Sequence, residues 1–273
     1  MPALPQASVV RRNSRCMIFD NPKDWQDLQD NVCTVLNQVG FEASTSKIIK
    51  TPRGQVEVDV YATDPFSIDR IIYIVECKNW ENKVPQTVIH SFTTVMQETG
   101  ANVGYIISKV GFQKGAFDYI QNTSIKNFTF VQFQEKYLRA WAGNYFNNEI
   151  HKAADSLIQY TEPINSRRER YIDGLPQTAK KAIRLLMERY SLFASILLFQ
   201  GSQNLNGLTP GVQLFNEVRD LNEIEQFKNM LRQYSGFTFT STCYTDLLKE
   251  LRVVVERITE EFKVFFGKDI FKE

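Results

Sequence analysis

Histidine is almost missing from this chain: His90 and His151 are the only two in 273 residues. Cysteine is scarcely commoner, and Cys16, Cys33, Cys77 and Cys243 are scattered with no Cys-x-x-Cys pair. These shortages argue against a zinc site, and no nucleophilic triad can be assembled around either histidine. Unpaired, buried thiols in a reducing cytosol account for the cysteines. Long apolar runs are lacking too. The longest, Leu192 to Phe199, is far too short to span a bilayer, and the N-terminus has no apolar stretch of signal-peptide length. The expectation is therefore a cytoplasmic protein with no membrane partner. Charge of either sign is not in excess: 32 Lys and Arg face 31 Asp and Glu, for a net charge of +1. Any contact with a polyanion must come from a local patch. There is no internal repeat, and the length allows one large or two modest domains with a real core.

What is present centres on Val56 to Trp80, VEVDVYATDPFSIDRIIYIVECKNW. Gln55 to Ala62 alternates, with Val56, Val58 and Val60 on one face and Glu57, Asp59 and Tyr61 on the other. Arg70 to Lys78 is rich in Ile, Val and Tyr and reads as a buried strand. Glu76 and Lys78, two residues apart, leave the same face of it. If the two strands pair through the Asp64–Asp69 turn, Asp59 sits beside Glu76, and two carboxylates and a lysine converge. Close carboxylates repel unless a cation joins them, and hard divalent ions prefer oxygen ligands. A neighbouring lysine can orient a water or offset charge developing on a phosphate. A solvated acidic strand face followed by a buried strand whose polar end reaches water accounts for the same residues.

Along the rest of the chain, residues 1–22 read as a loose arm carrying Arg11, Arg12 and Arg15. Asp24–Val39 has helical spacing, Phe41–Lys50 reads as a strand, Pro85–Glu98 as a helix with Val88, Phe92 and Val95 buried, and Val103–Ser108 as a buried strand. A helix within Lys109–Gln121, a strand over Phe128–Phe133 and a short helix over Gln134–Trp141 complete an α/β unit spanning 23–142. From 143 to 273 the signals are helical: Tyr145–Tyr160, a linker at Pro163–Gly174, Thr178–Phe199, a Gly/Asn/Ser loop over Gly201–Gly211, and stripes over Leu214–Leu231 and Leu247–Phe265.

Taken together, VEVDV, IVECKNW, VPQTVIHSF and GANVGYIISKVGFQKGA resemble the PD-(D/E)XK nucleases, and among them the Mrr-like restriction endonucleases. The resemblance covers about Trp25 to Leu138. It implies a mixed sheet flanked by helices, followed here by an all-α domain for recognition, dimerisation or regulation. It also implies that Asp59 and Glu76, with the backbone carbonyl of Cys77, hold Mg²⁺, for which Mn²⁺ can substitute, and that Lys78 positions or activates the attacking water. The implied activity is metal-dependent endonucleolytic cleavage of DNA, double-stranded first of all, in restriction or phage defence. A homodimer or higher oligomer and a regulatory protein partner go with it. Two other readings stand beside it: a nuclease-like binding module that no longer cuts, and an active nuclease on junction DNA or RNA.

Several residues are candidates for supporting roles. Glu57 shares the face of Asp59 and is either a further metal carboxylate or a solvated strand residue. The family often places a Glu on the first helix, and Gln29, beside Asp30, stands at the matching position and brings no charge. Gln86 could reach DNA or a metal-bound water. The Gly111–Gly115 turn, with Lys109 and Lys114, is either a phosphate cradle or an ordinary glycine turn. Arg167 and Arg168, in the basic run before Gly174, are further DNA candidates. Trp80 and Trp141 read as core or domain-seam residues more readily than as base-stacking platforms.

Overall fold

The alternating stretch forms the second strand of a five-stranded sheet whose order follows the sequence. The computed structural model describes residues 17–121, 123–201 and 221–272. Helix α1 (Trp25–Gln38) starts after Asp24, whose carboxylate accepts a hydrogen bond from the Asp27 N–H at 2.8 Å and so satisfies a free helix donor. Strands β1 (Glu42–Thr51), β2 (Gly54–Thr63) and β3 (Ile72–Lys78) follow as an antiparallel meander. Helix α2 (Gln86–Thr99) crosses to β4 (Val103–Ser108), and α3 (Lys114–Ile120) to β5 (Ile125–Thr129), both parallel to β3. The mixed sheet with flanking helices agrees with the expected architecture.

Both faces of the sheet are covered, by separate cores. Val60, Ala62, Val75 and Cys77 pack with Leu28, Val32 and Val35 of α1. Ile74 and Ile106 pack on the opposite face with Ile89, Phe92 and Met96 of α2 and Ala116 and Ile120 of α3. The buried stripe of α2 is thus Ile89–Phe92–Met96, while Val88 and Val95 lie at its margin. Gly104 lets α2 approach β4: a Cβ there would meet Phe92 at 2.6 Å and Met96 at 2.7 Å. Trp25, read as part of the α1 stripe, is the first residue of that helix and is 55% exposed.

The end of this unit differs from the expectation. β5 ends at Thr129, and helix α4 (Phe130–Trp141) begins four residues earlier than Gln134. Thr129 and Gln132 form a reciprocal capping box, which starts the helix and turns Phe130 and Phe133 into an i, i+3 buried pair. Likewise α3 begins at Lys114 and leaves Lys109–Gln113 as a connecting loop.

No break separates the two halves. From α4 the chain runs through a π-helical turn (Ala142–Phe146) straight into α5 (Asn147–Thr161), so the boundary expected at 142/143 falls inside continuous helix. The expected linker holds a helix, α6 (Ser166–Asp173), before α7 (Gln177–Gly201). Helices α8 (Leu221–Ser235) and α9 (Tyr244–Phe266) complete the described fold. The stripe residues 214–220, most of the Gly201–Gly211 loop, and Arg11, Arg12, Arg15 and Cys16 lie outside the described residues. Trp141 is fully buried at the seam: its indole N–H donates to Gln38 Oε1 at 2.6 Å, and its ring lies 5.3 Å from Phe146 and 6.2 Å from Tyr244 between centroids. Residues 17–19, read as part of a loose arm, are tied to the fold: Met17 and Ile18 accept backbone hydrogen bonds from Tyr244 and Thr245, and Phe19 N–H donates to Gln134 Oε1 at 2.7 Å. Among the described residues no helix is long and apolar enough to cross a membrane.

The shared core has a testable consequence. A chain ending at Gly143 strips the partners from Trp141 and Leu138 and should show no cooperative thermal transition by circular dichroism. A sharp transition like that of the full chain would show that the sheet folds alone.

Candidate active site

The β2–β3 ladder is regular from Thr63↔Ile72 to Val60↔Val75 and then stops. At the next position the Asp59 carboxylate, rather than backbone, takes the Cys77 N–H, at 2.7 Å. The strands are thus pried apart where Asp59 and Glu76 face one another. Within a strand the N–H and C=O of one residue face the same neighbour, so the Cys77 carbonyl opens toward the same gap. Lys78 leaves β3 on the side of Glu76, and its ammonium is ion-paired with the Glu76 carboxylate. Asp59, Glu76 and Lys78 are all partly buried, so the charges meet at the rim of the core rather than in open water.

Burial pushes the Asp59 carboxyl above the usual carboxylate range, and the Glu76 charge pushes the same way, while the Cys77 N–H and Lys78 oppose it. The Cys77 thiol points into the opposite core, and burial holds it well above its ordinary value, so it is inert. For Asp59 the linkage runs as follows. An acid that binds its proton more tightly folded than unfolded opposes folding when charged, and the penalty appears as pH rises past the ordinary carboxylate range. Asp59→Asn, which keeps an acceptor for Cys77, should therefore melt higher than wild type at neutral pH without divalent ions. The two should converge as pH falls into the acid range. Identical melting at neutral pH would show that the charge carries no penalty.

The accessory candidates are placed unevenly. Glu57 is exposed, and its charge adds to the upward push on the Asp59 carboxyl. The expected alternation breaks at Asp59, because Val58 packs with Ile74 on one face of the sheet and Val60 with Val75 on the other. Gln29 is buried on α1, which packs against the Val60–Val75–Cys77 face of the sheet, not the face bearing Glu76 and Lys78. Gln86 sits 3.1 Å from His90 Nε2 through its Nε2, and its Oε1 leans over Gly115, where an added Cβ would come within 3.0 Å. The loops after β3 and β4 clasp each other: Val84 N–H donates to Gly111 O and Gln113 N–H to Val84 O, each at 3.0 Å. Gly111, with φ +98°, gives its own N–H to Ser108 Oγ at 2.8 Å. Two N–H groups of the expected phosphate cradle are thus spent within the protein. Lys109 pairs with Glu81 at 2.5 Å, and Lys114 is exposed at the start of α3.

Arg167 and Arg168 lie on α6 in the helical half. Arg168 is fully buried and turns inward, donating to the carbonyls of Gln159, Tyr160 and Glu162 and to the Glu169 carboxylate. Its guanidinium holds the fold together and does not face a ligand. Sequence reading passed over two residues next to the site. Ser108 is buried and fixes the Gly111 turn, and Asn79, directly after Lys78, has a buried Oδ1 without a hydrogen-bond partner among the described residues. Their closeness to the Glu76–Lys78 strand end was the only signal. A cluster of metal-ligand type also lies elsewhere: ligand atoms of Asp20, Cys243 and Asp246 are within 4.8 Å of one another. There Thr242 donates to Asp20, Lys249 pairs with Asp246, and burial first of all pushes the Cys243 thiol up to about 11.

The fold and the interrupted ladder define a restriction-endonuclease-like domain. The Mrr catalytic-domain model, described as a restriction endonuclease, matches residues 22–136, and this segment is similar to that family. No curated protein matches the chain. One solved structure, described as "Crystal Structure of Protein of Unknown Function AF1548", aligns over 90% of this chain and 100% of its own at 13% identity and a TM-score of 0.37, too low to bear on fold or function.

Proposed function

We propose that this protein is a metal-dependent endonuclease that hydrolyses phosphodiester bonds in DNA, with Asp59, Glu76 and Lys78 as its working side chains. The observation that carries the reading is the opened β2–β3 ladder, where an acid from each strand and a lysine meet. The residues fit a hard divalent ion, Mg²⁺ or Mn²⁺: two carboxylates and the Cys77 carbonyl form an all-oxygen donor set, and the carboxylate charges need a counter-ion. Such an ion supplies Lewis acidity at the scissile phosphate and lowers the pKa of a bound water.

The chain's own residues do the rest. Asp59 spends one carboxylate oxygen on the Cys77 N–H, which leaves the other for the ion. Glu76 holds the Lys78 ammonium. Lys78 orients the attacking water through one N–H and offsets the charge that grows on the phosphoryl oxygens. Asn79 Oδ1, a buried acceptor without a partner among the described residues, suits an ordered water beside this group. Lys109 and Lys114 stand at the clasped loops as contacts to the phosphate backbone. Cutting both strands of a duplex takes two such sites, so a homodimer and a restriction or defence role belong to the same reading.

The test is incubation of the purified protein with supercoiled plasmid. Nicked or linear product with Mg²⁺ or Mn²⁺, and none with EDTA, is expected. No conversion with either ion would overturn the reading.

A further inference from the structure

Trp80 sits two residues beyond Lys78 on the loop leading from β3 to α2. Its indole belongs to neither hydrophobic core and is 44% exposed. The Lys78 ammonium lies over the ring, 5.3 Å from its centroid. The loop that carries it is anchored, because Val84 is pinned to Gly111 and Gln113 by two backbone hydrogen bonds of 3.0 Å. A large apolar ring is therefore held at the mouth of the site and contributes nothing to either core. Lys83, on the same loop, is exposed, and Lys109, on the loop after β4, pairs with Glu81, the residue after Trp80.

A ring in this place suits one ligand chemistry. Paired bases in a duplex have their faces covered by their neighbours and offer none to a side chain. An unpaired base has an open π-face, and stacking on an exposed aromatic is how it is held, whatever its identity. The cation beside the ring adds attraction for the base and for the phosphate that follows it. We infer that Trp80 stacks an unpaired base next to the scissile phosphate, so that the preferred substrate is DNA with a single-stranded or extruded nucleotide there. The inference rests on the nuclease reading of Asp59, Glu76 and Lys78 and names its substrate class.

The test is fluorescence anisotropy of the full chain with two labelled DNAs of one sequence, an intact duplex and a bulged duplex, in EDTA so that nothing is cut. Wild type should prefer the bulged probe. In Trp80→Ala the ratio of the two affinities should fall about tenfold, and Trp80→Phe should hold it within about threefold, since phenylalanine keeps a stacking face. Equal weakening on both probes, an unmoved ratio, or no preference by wild type would overturn the inference. Plasmid cleavage with Mg²⁺ separates the two claims. A protein that cuts but whose ratio does not move loses only the role of Trp80, whereas one that cuts nothing with either ion loses the nuclease reading itself.

Discussion

Asp59→Ala and Glu76→Ala should each lower plasmid cleavage by at least about 10³-fold while leaving the fold intact, the loss expected when preorganised charge is removed from the reacting centre. Neither carboxylate belongs to a hydrophobic core, and the ladder beneath them is held by the Val60↔Val75 pairing. Losing Asp59 deprives the Cys77 N–H of its acceptor, yet that group lies at the splayed strand end, where water can replace it. Lys78→Ala should behave differently in one respect. It should lose cleavage to a similar degree while retaining divalent-ion and DNA binding, because the carboxylates stay in place. Loss of DNA binding along with cleavage would make the lysine a phosphate anchor, and wild-type cutting by either acid variant would sink the site.

The second large effect is on stability. Arg168→Ala should cost about 3–5 kcal/mol, as removal of one member of a buried charged network does. The guanidinium is wholly enclosed, with Nη1 donating to Glu162 O at 2.7 Å and Tyr160 O at 3.2 Å, and Nη2 donating to Glu169 at 2.8 Å. Those carbonyls end α5, where no further turn of helix can use them. Alanine leaves them without donors, opens a cavity, and frees the Glu169 carboxylate to Arg184 alone. The midpoint of thermal unfolding should fall by on the order of 10 °C. Arg168→Lys should recover only part of this, since an ammonium cannot fork to three acceptors in the same plane. Arg184 first of all, then Arg168, holds the Glu169 carboxyl below its ordinary value, so its share is intact at neutral pH and is lost as pH falls through that lowered value. A melting point within about 2 °C of wild type would show that solvent reaches the α5 end.

Much of the sheet was legible because its signals are local. Period-two alternation placed β2, the apolar run placed β3, and Val103–Ser108 came out with its observed bounds. The boundary errors have local causes as well. Phe128–Phe133 alternates well enough for a strand, but Thr129 and Gln132 cap a helix across its middle, and the two hydrogen bonds of the box decide the matter. The Pro163–Gly174 stretch looked like a linker because of its charge, yet Asn165 caps a helix there by accepting from the Arg168 N–H.

By itself the sequence determined which residue types could do chemistry and that Glu76 and Lys78 share a strand face. Glu76 and Lys78 follow from a spacing of two, a property of any extended chain, whereas alternation along β2 breaks at Asp59, with Val58 and Val60 in opposite cores. Tertiary structure decided what those residues meet. The capture of the Cys77 N–H by Asp59 depends on where two strands stop pairing, and the clasp of Val84 on Gly111 joins loops far apart in the chain. The same holds for the three tests of burial that pattern could not settle. Trp141 is enclosed at the seam, Trp80 is part exposed at the site, and Arg168 is spent on the end of α5. Periodicity fixes direction along one element. Burial is fixed by the elements that pack around it, and these arrive from distant parts of the chain.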